Sequence, residues 1–171
     1  MQDVGLLVLR LAVGLILAAH GAQKLFRWFG GPGISGFASG LARMGVKPSR
    51  PFAVISALAE FGGGLLVAIG FLTPVAALVA AGNMLVALVT AHWKKGFWNS
   101  KGGVEWPLLL LAAMLAISLT GPGAISLDGA FGLVLPEPIT WSITALLALI
   151  GALWALLSRR IARPRPAETS P

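Results

Sequence analysis

The chain has no cysteine and no tyrosine, and only six acidic side chains among its 171 residues. Without cysteine, disulfides, thiol relays, iron–sulfur clusters and cysteine-ligated zinc are excluded within the chain. Without tyrosine, one radical and proton-relay option goes as well. Charge of either sign is scarce: 11% of residues are charged, 57% are hydrophobic and mean hydropathy is +0.86. A soluble domain of this length needs far more charge to cover its surface, so the composition gives an integral membrane protein.

Long apolar runs are what the chain does have. A membrane-crossing helix needs roughly 20 mainly apolar residues. Five stretches are candidates: Val4–Phe26, Pro51–Leu72, Pro74–His92, Glu105–Thr120 and Ile139–Ser158, the fourth being short for a full span. The first is not read as a cleavable signal, because Asp3 stands where a basic segment would precede the apolar run and the run is too long. Residues 159–171 form a basic, proline-containing tail, expected to be disordered from Pro164 to Pro171.

The net charge of +7 is distributed by topology. Lys24, Arg27, Arg43, Lys47 and Arg50 fall between spans one and two, and Lys94, Lys95 and Lys101 between spans three and four. Arg159, Arg160, Arg163 and Arg165 follow span five. Alternating spans put these 12 of 13 basic residues on one side, with Asp3, Asp128 and Glu137 on the other. The positive-inside bias orients the N-terminus out and the C-terminus in, and it removes the case for nucleic acid as a partner. Lipid is the expected partner, with anionic headgroups a further option. In the loop after span one, Phe37, Leu41 and Met44 recur at helical spacing, predicting a short amphipathic helix that lies at the interface or dips into the bundle.

Lipid supplies no hydrophobic drive for helices to associate, so small residues mark their contact faces. Arg10 shares such a face with Gly14, Ala18 and Gly21, Glu60 with Ala53, Ala57, Gly63 and Gly64, and Asn83 with Ala76, Ala80 and Ala87. All three polar groups are therefore expected inside the bundle. At 1.5 Å per residue, Arg10 comes out at roughly 9 Å, Asn83 at roughly 14 Å and Glu60 at roughly 18 Å from the outer boundary. A carboxylate at mid-membrane needs a partner, water or a proton. The expectation is an Arg10–Glu60 pair completed by Asn83, with His20 as a fourth member of the polar site. It reads either as a structural ion pair fixing helix register or as a binding or proton-handling site. Lys24, His92, Trp93 and Glu105 are expected to form a polar mouth at the inner ends of the helices, although His92 and the tryptophans also fit an ordinary interface belt. Two histidines at different depths do not suit a bis-histidine haem, and no zinc set is visible.

The run LRLAVGLILAAHGAQKLF, ALAEFGGGLLVAIGFLTPVAA, NMLVALVTAHWKKGFW, GGVEWPLLLLAAMLAISLTGPG and ISLDG resembles, in order and spacing from Leu6 to Gly129, the DoxX family of small bacterial membrane proteins. The resemblance implies an all-α, four-helix membrane bundle, to which Ile139–Ser158 adds a fifth helix. It implies an inner-membrane protein tied to oxidoreductase systems, some relatives being linked to thiosulfate:quinone oxidation and others looking like chaperones or cargo receptors. The polar positions carried over are Arg10, His20, Lys24, Glu60, His92, Glu105 and Asp128. The expected function is an accessory or quinone-interacting subunit, with no covalently bound cofactor, no metal and no catalysis by this chain alone. The alternatives are a non-catalytic subunit that assembles or anchors a larger complex, or a small lipid or solute carrier.

Overall fold

The computed structural model describes residues 1–161; the tail expected to be disordered, with Arg163 and Arg165, lies outside the described residues. Within these residues seven α-helices follow one another: α1 (Gln2–Phe26), α2 (Gly33–Arg43), α3 (Ser49–Ile69), α4 (Thr73–Ala87), α5 (Glu105–Thr120), the single turn α6 (Leu127–Ala130) and α7 (Glu137–Ile161). Among the described residues four helices are long and apolar enough to cross a membrane: α1, α3, α7, and α4 with its extension to Lys95. Helix α5 is shorter, as its sequence implies, at 16 residues. The chain is an all-α, multi-pass membrane bundle.

The faces of the bundle are fixed by contacts between distant segments. Arg159 near the end of α7 donates from Nε to the Met44 carbonyl at 3.0 Å, so the loop after α1 and the end of α7 share one face. Asp3 in the first turn of α1 accepts from the Ala124 amide at 2.8 Å, which puts the α5–α7 loop on the opposite face. The alternation inferred from charge therefore holds. We call the two ends the basic face and the acidic face.

Small residues set the packing. The helices α1 and α3 cross where Gly14 meets Gly64; a Cβ on Gly14 would lie 2.6 Å from the Gly64 carbonyl oxygen. Only hydrogen at both sites allows that approach. The core beside this crossing is apolar and dense, built from Leu17, Val67, Ala77, Ala80, Met114 and Ile117. The amphipathic segment expected after span one is α2. It buries Ala38 and Leu41 against Val46 and Ala53, with Phe37 and Met44 packed alongside. Helix α7 lies against α4, where Gly82 closes on Ala148, and it leaves Leu146, Leu147, Ile150 and Leu153 exposed. That outward face suits acyl chains.

Candidate functional site

Two polar centres lie in the bundle, one toward each face. Glu60, in the middle of α3, is 2% exposed. Its carboxylate accepts from the Lys24 ammonium through both oxygens, and Asn83 Nδ2 donates to Oε1 at 2.9 Å. Lys24 stands two residues before the end of α1 and keeps 21% of its side chain exposed, so it bridges interior and basic face. The ring of Phe37, carried by α2, has its centroid 4.5 Å from the Lys24 nitrogen, a cation–π contact. Phe61, next to Glu60, meets Phe26 edge-on at 5.2 Å, and Phe26 stacks obliquely on Trp28.

This overturns the expected Arg10–Glu60 pair. Among the described residues the one ion pair is Lys24–Glu60. Two physical facts decide it. The glycine contacts fix the register of α1 on α3 so that Arg10 comes level with Gly70, where a Cβ would lie 2.7 Å from the guanidinium. Ten residues separate Gly70 from Glu60, which is roughly 15 Å along the helix. Helical side chains also lean toward the N-terminus of their helix. Arg10 therefore leans outward toward the acidic face, while Lys24 leans back into the bundle. Glu60, on the antiparallel α3, leans toward Lys24. Counting depth at Cα positions conceals this; following the direction of each side chain exposes Lys24 as the partner.

Arg10 serves the other centre. It is fully buried, and its guanidinium donates to the carbonyls of Pro122 and Ile125. Its Nε is buried with no protein partner. Asp128, 3% exposed, caps the start of α4 across 55 residues of sequence. One carboxylate oxygen accepts from the Leu72 amide at 2.8 Å, the other from the Thr73 amide at 2.9 Å and hydroxyl at 2.8 Å. The Asp128 amide in turn donates to the Gly70 carbonyl at 2.8 Å. Gly70 ends α3 at φ 69°, a left-handed cap that favours glycine and leaves room for Arg10. Arg10 and Asp128 thus pin the loop of residues 121–132 over the α3–α4 turn.

His20 joins neither centre. It is exposed, on the stripe of α1 that carries the equally exposed Val8, Ala12 and Ile16. The expected inner mouth also divides. His92 Nδ1 lies 2.7 Å from the Gly102 carbonyl, and Glu105 accepts from the Asn99 amide at 2.8 Å, so both residues close the loop between α4 and α5. Trp93 is exposed with Phe97 and Trp98, an interfacial belt. Only Lys24 of the four reaches Glu60. His92 ends a π-turn, Leu88–His92, which continues α4. A 490 Å³ cleft lies elsewhere, at the acidic face between α4, α5 and α7, where Trp141 Nε1 donates to Ser118 Oγ at 3.4 Å. Among the described residues no cluster of three histidine or acidic side chains is disposed to hold a metal.

Comparison with known proteins adds a family and distant relatives. The DoxX family model matches residues 5–93, which run from α1 into the α4 extension. The chain is 32% identical over 130 residues to "Inner membrane protein YqjF" of Escherichia coli (strain K12), covering 75% of this chain and 92% of that protein. It is 30% identical over 136 residues to "Inner membrane protein YphA" of the same organism, covering 74% and 90%. With "Putative oxidoreductase CatD" of Bacillus subtilis (strain 168) it shares 31% identity over 126 residues, covering 74% and 86%. No solved structure matches the chain significantly.

Proposed function

This chain belongs to the DoxX family of membrane proteins, and from that premise we propose that it is a quinone-interacting accessory subunit of an inner-membrane oxidoreductase system. The observation that carries the reading is the Lys24–Glu60–Asn83 centre, a carboxylate held inside the membrane by an ammonium that still touches the basic face. Intramembrane ionisable groups are costly and mark sites of binding or proton movement. One relative's name contains the word oxidoreductase, which agrees with this direction.

The chemistry needed is simple. Reducing a quinone to a quinol consumes two electrons and two protons. The Lys24 ammonium can donate a hydrogen bond, then a proton, to a quinone oxygen, with Glu60 and Asn83 orienting it. Lys24 recovers its proton from the basic face. Phe26 and Trp28 offer an apolar, π-rich approach for a prenyl tail. Both electrons come from a redox group on another subunit. We orient the basic face toward the cytoplasm on the positive-inside bias, with the N-terminus outside and the C-terminus inside.

The test is affinity for a quinone analogue in purified protein. Glu60→Gln and Asn83→Leu each remove one charge-assisted hydrogen bond and should weaken binding about tenfold. Unchanged affinity in both variants refutes the reading. A second reading, a non-catalytic assembly subunit, is favoured by α7, which lies outside the matched residues and turns a wide apolar face outward. Native mass spectrometry from mild detergent tests it: a lone monomer would count against a complex.

A further inference from the structure

The surroundings of Glu60 differ sharply along the membrane normal. Toward the acidic face, Leu17, Val67, Ala77, Ala80, Met114 and Ile117 are all fully buried, and they fill the layers between Glu60 and the Arg10 centre. At the same level α1 and α3 touch through Gly14 and Gly64, with no room for a methyl group between them. This apolar plug spans roughly the 15 Å from Glu60 to Gly70 and offers water no polar partner. Toward the basic face the route is short. Lys24 bonds both Glu60 oxygens and is itself partly exposed, and the cover over its nitrogen is the Phe37 ring. That ring belongs to α2, which packs on α1 and α3 and leaves into the next loop through Gly45 at φ 84°.

We propose that the Lys24–Glu60–Asn83 site exchanges with the basic face alone, through the opening that Phe37 closes over Lys24, so that α2 is its gate. The proposal rests on the reading of these three residues as a site, and is indifferent to which ligand occupies it. A one-sided site cannot carry a solute across the membrane by itself, so the carrier alternative loses its route.

The test uses the full chain in vesicles of known orientation and a water-soluble, membrane-impermeant carbodiimide. The reagent adds to the Glu60 carboxyl to form an O-acylisourea. The Lys24 amine then attacks the acyl carbon, the urea departs, and a Lys24–Glu60 amide remains, one water lighter and visible by peptide mass spectrometry. Modification of Asp3 reports reagent on the acidic face, and modification of Glu105 reports reagent on the basic face. The amide should form when the reagent meets the basic face and stay absent when it meets the acidic face. Phe37→Ala should speed it about fivefold, the effect of releasing one cation–π cover. Phe37→Leu, which keeps the packing of α2, should give an increase of the same sign. Equal reaction from both faces, reaction from neither, or rates indifferent to both Phe37 variants would overturn the proposal. Failure of quinone binding alone would sink the function proposed above and leave this result standing.

Discussion

Replacing Lys24 by methionine should cost more than replacing its partner Glu60 by glutamine, although the same ion pair is lost. In Lys24→Met the carboxylate stays 2% exposed beneath an apolar plug, held by Asn83 alone. Breaking a buried pair by removing one partner costs about 3–5 kcal/mol. The remaining Asn83 hydrogen bond and the nearness of the basic face offset part of that, so about 2–4 kcal/mol is expected. In Glu60→Gln, Lys24 is already 21% exposed and can extend its ammonium to water, while the amide keeps a hydrogen bond with Asn83. That variant should lose about 1 kcal/mol. The double variant Lys24→Met/Glu60→Gln removes the stranded charge and should recover about 1–3 kcal/mol relative to Lys24→Met, a non-additivity expected of residues in contact. Unfolding by sodium dodecyl sulfate in mixed micelles, followed by helical circular dichroism, measures all three. Equal losses in the two single variants, or a double variant no better than Lys24→Met, would refute the asymmetric burial on which the site rests.

Other expectations follow from the acidic-face centre, the perimeter and the helix crossing. Arg10→Met strands two loop carbonyls and should cost about 2–4 kcal/mol, with faster proteolysis between residues 121 and 132. Asp128→Ala should cost about 2 kcal/mol and raise hydrogen exchange at the Leu72 and Thr73 amides, and Asp128→Asn should be milder because one acceptor survives. His20→Leu should change stability by less than about 0.5 kcal/mol, and quinone-analogue affinity should be unchanged. Gly14→Val should destabilise by about 1–3 kcal/mol, because the new side chain collides with the backbone of α3 at Gly64 and Ala68; wild-type stability there would refute the close crossing.

Much of the fold was legible in the sequence, for reasons that act locally. Apolar run length gives the spans, and even the shortness of α5 shows in Glu105–Thr120. The spacing of Phe37, Leu41 and Met44 gives α2. Alternation of basic loops gives the two faces, which Arg159–Met44 and Asp3–Ala124 secure in three dimensions. The site was legible in part. Glu60, Arg10 and Asn83 point inward as their small-residue neighbours imply, and Asn83 does bond Glu60. His20 was misplaced because it lies on the exposed stripe of Val8, Ala12 and Ile16 and not on the stripe of Gly14 and Gly21 that meets α3. His92 and Glu105 were placed at the right end of the bundle, but their partners are backbone groups of a loop whose folding no periodicity encodes.

Composition and periodicity, then, determined that this chain crosses a membrane, where its helices run and which polar groups turn inward, because burial in lipid is a property of each segment by itself. Which cation meets Glu60 was decided only by tertiary structure. That choice depends on the sliding register of α1 on α3, set by backbone contact at Gly14 and Gly64, and on the opposite lean of side chains on antiparallel helices. Together they give Lys24 to Glu60 and turn Arg10 toward the loop that closes the acidic face.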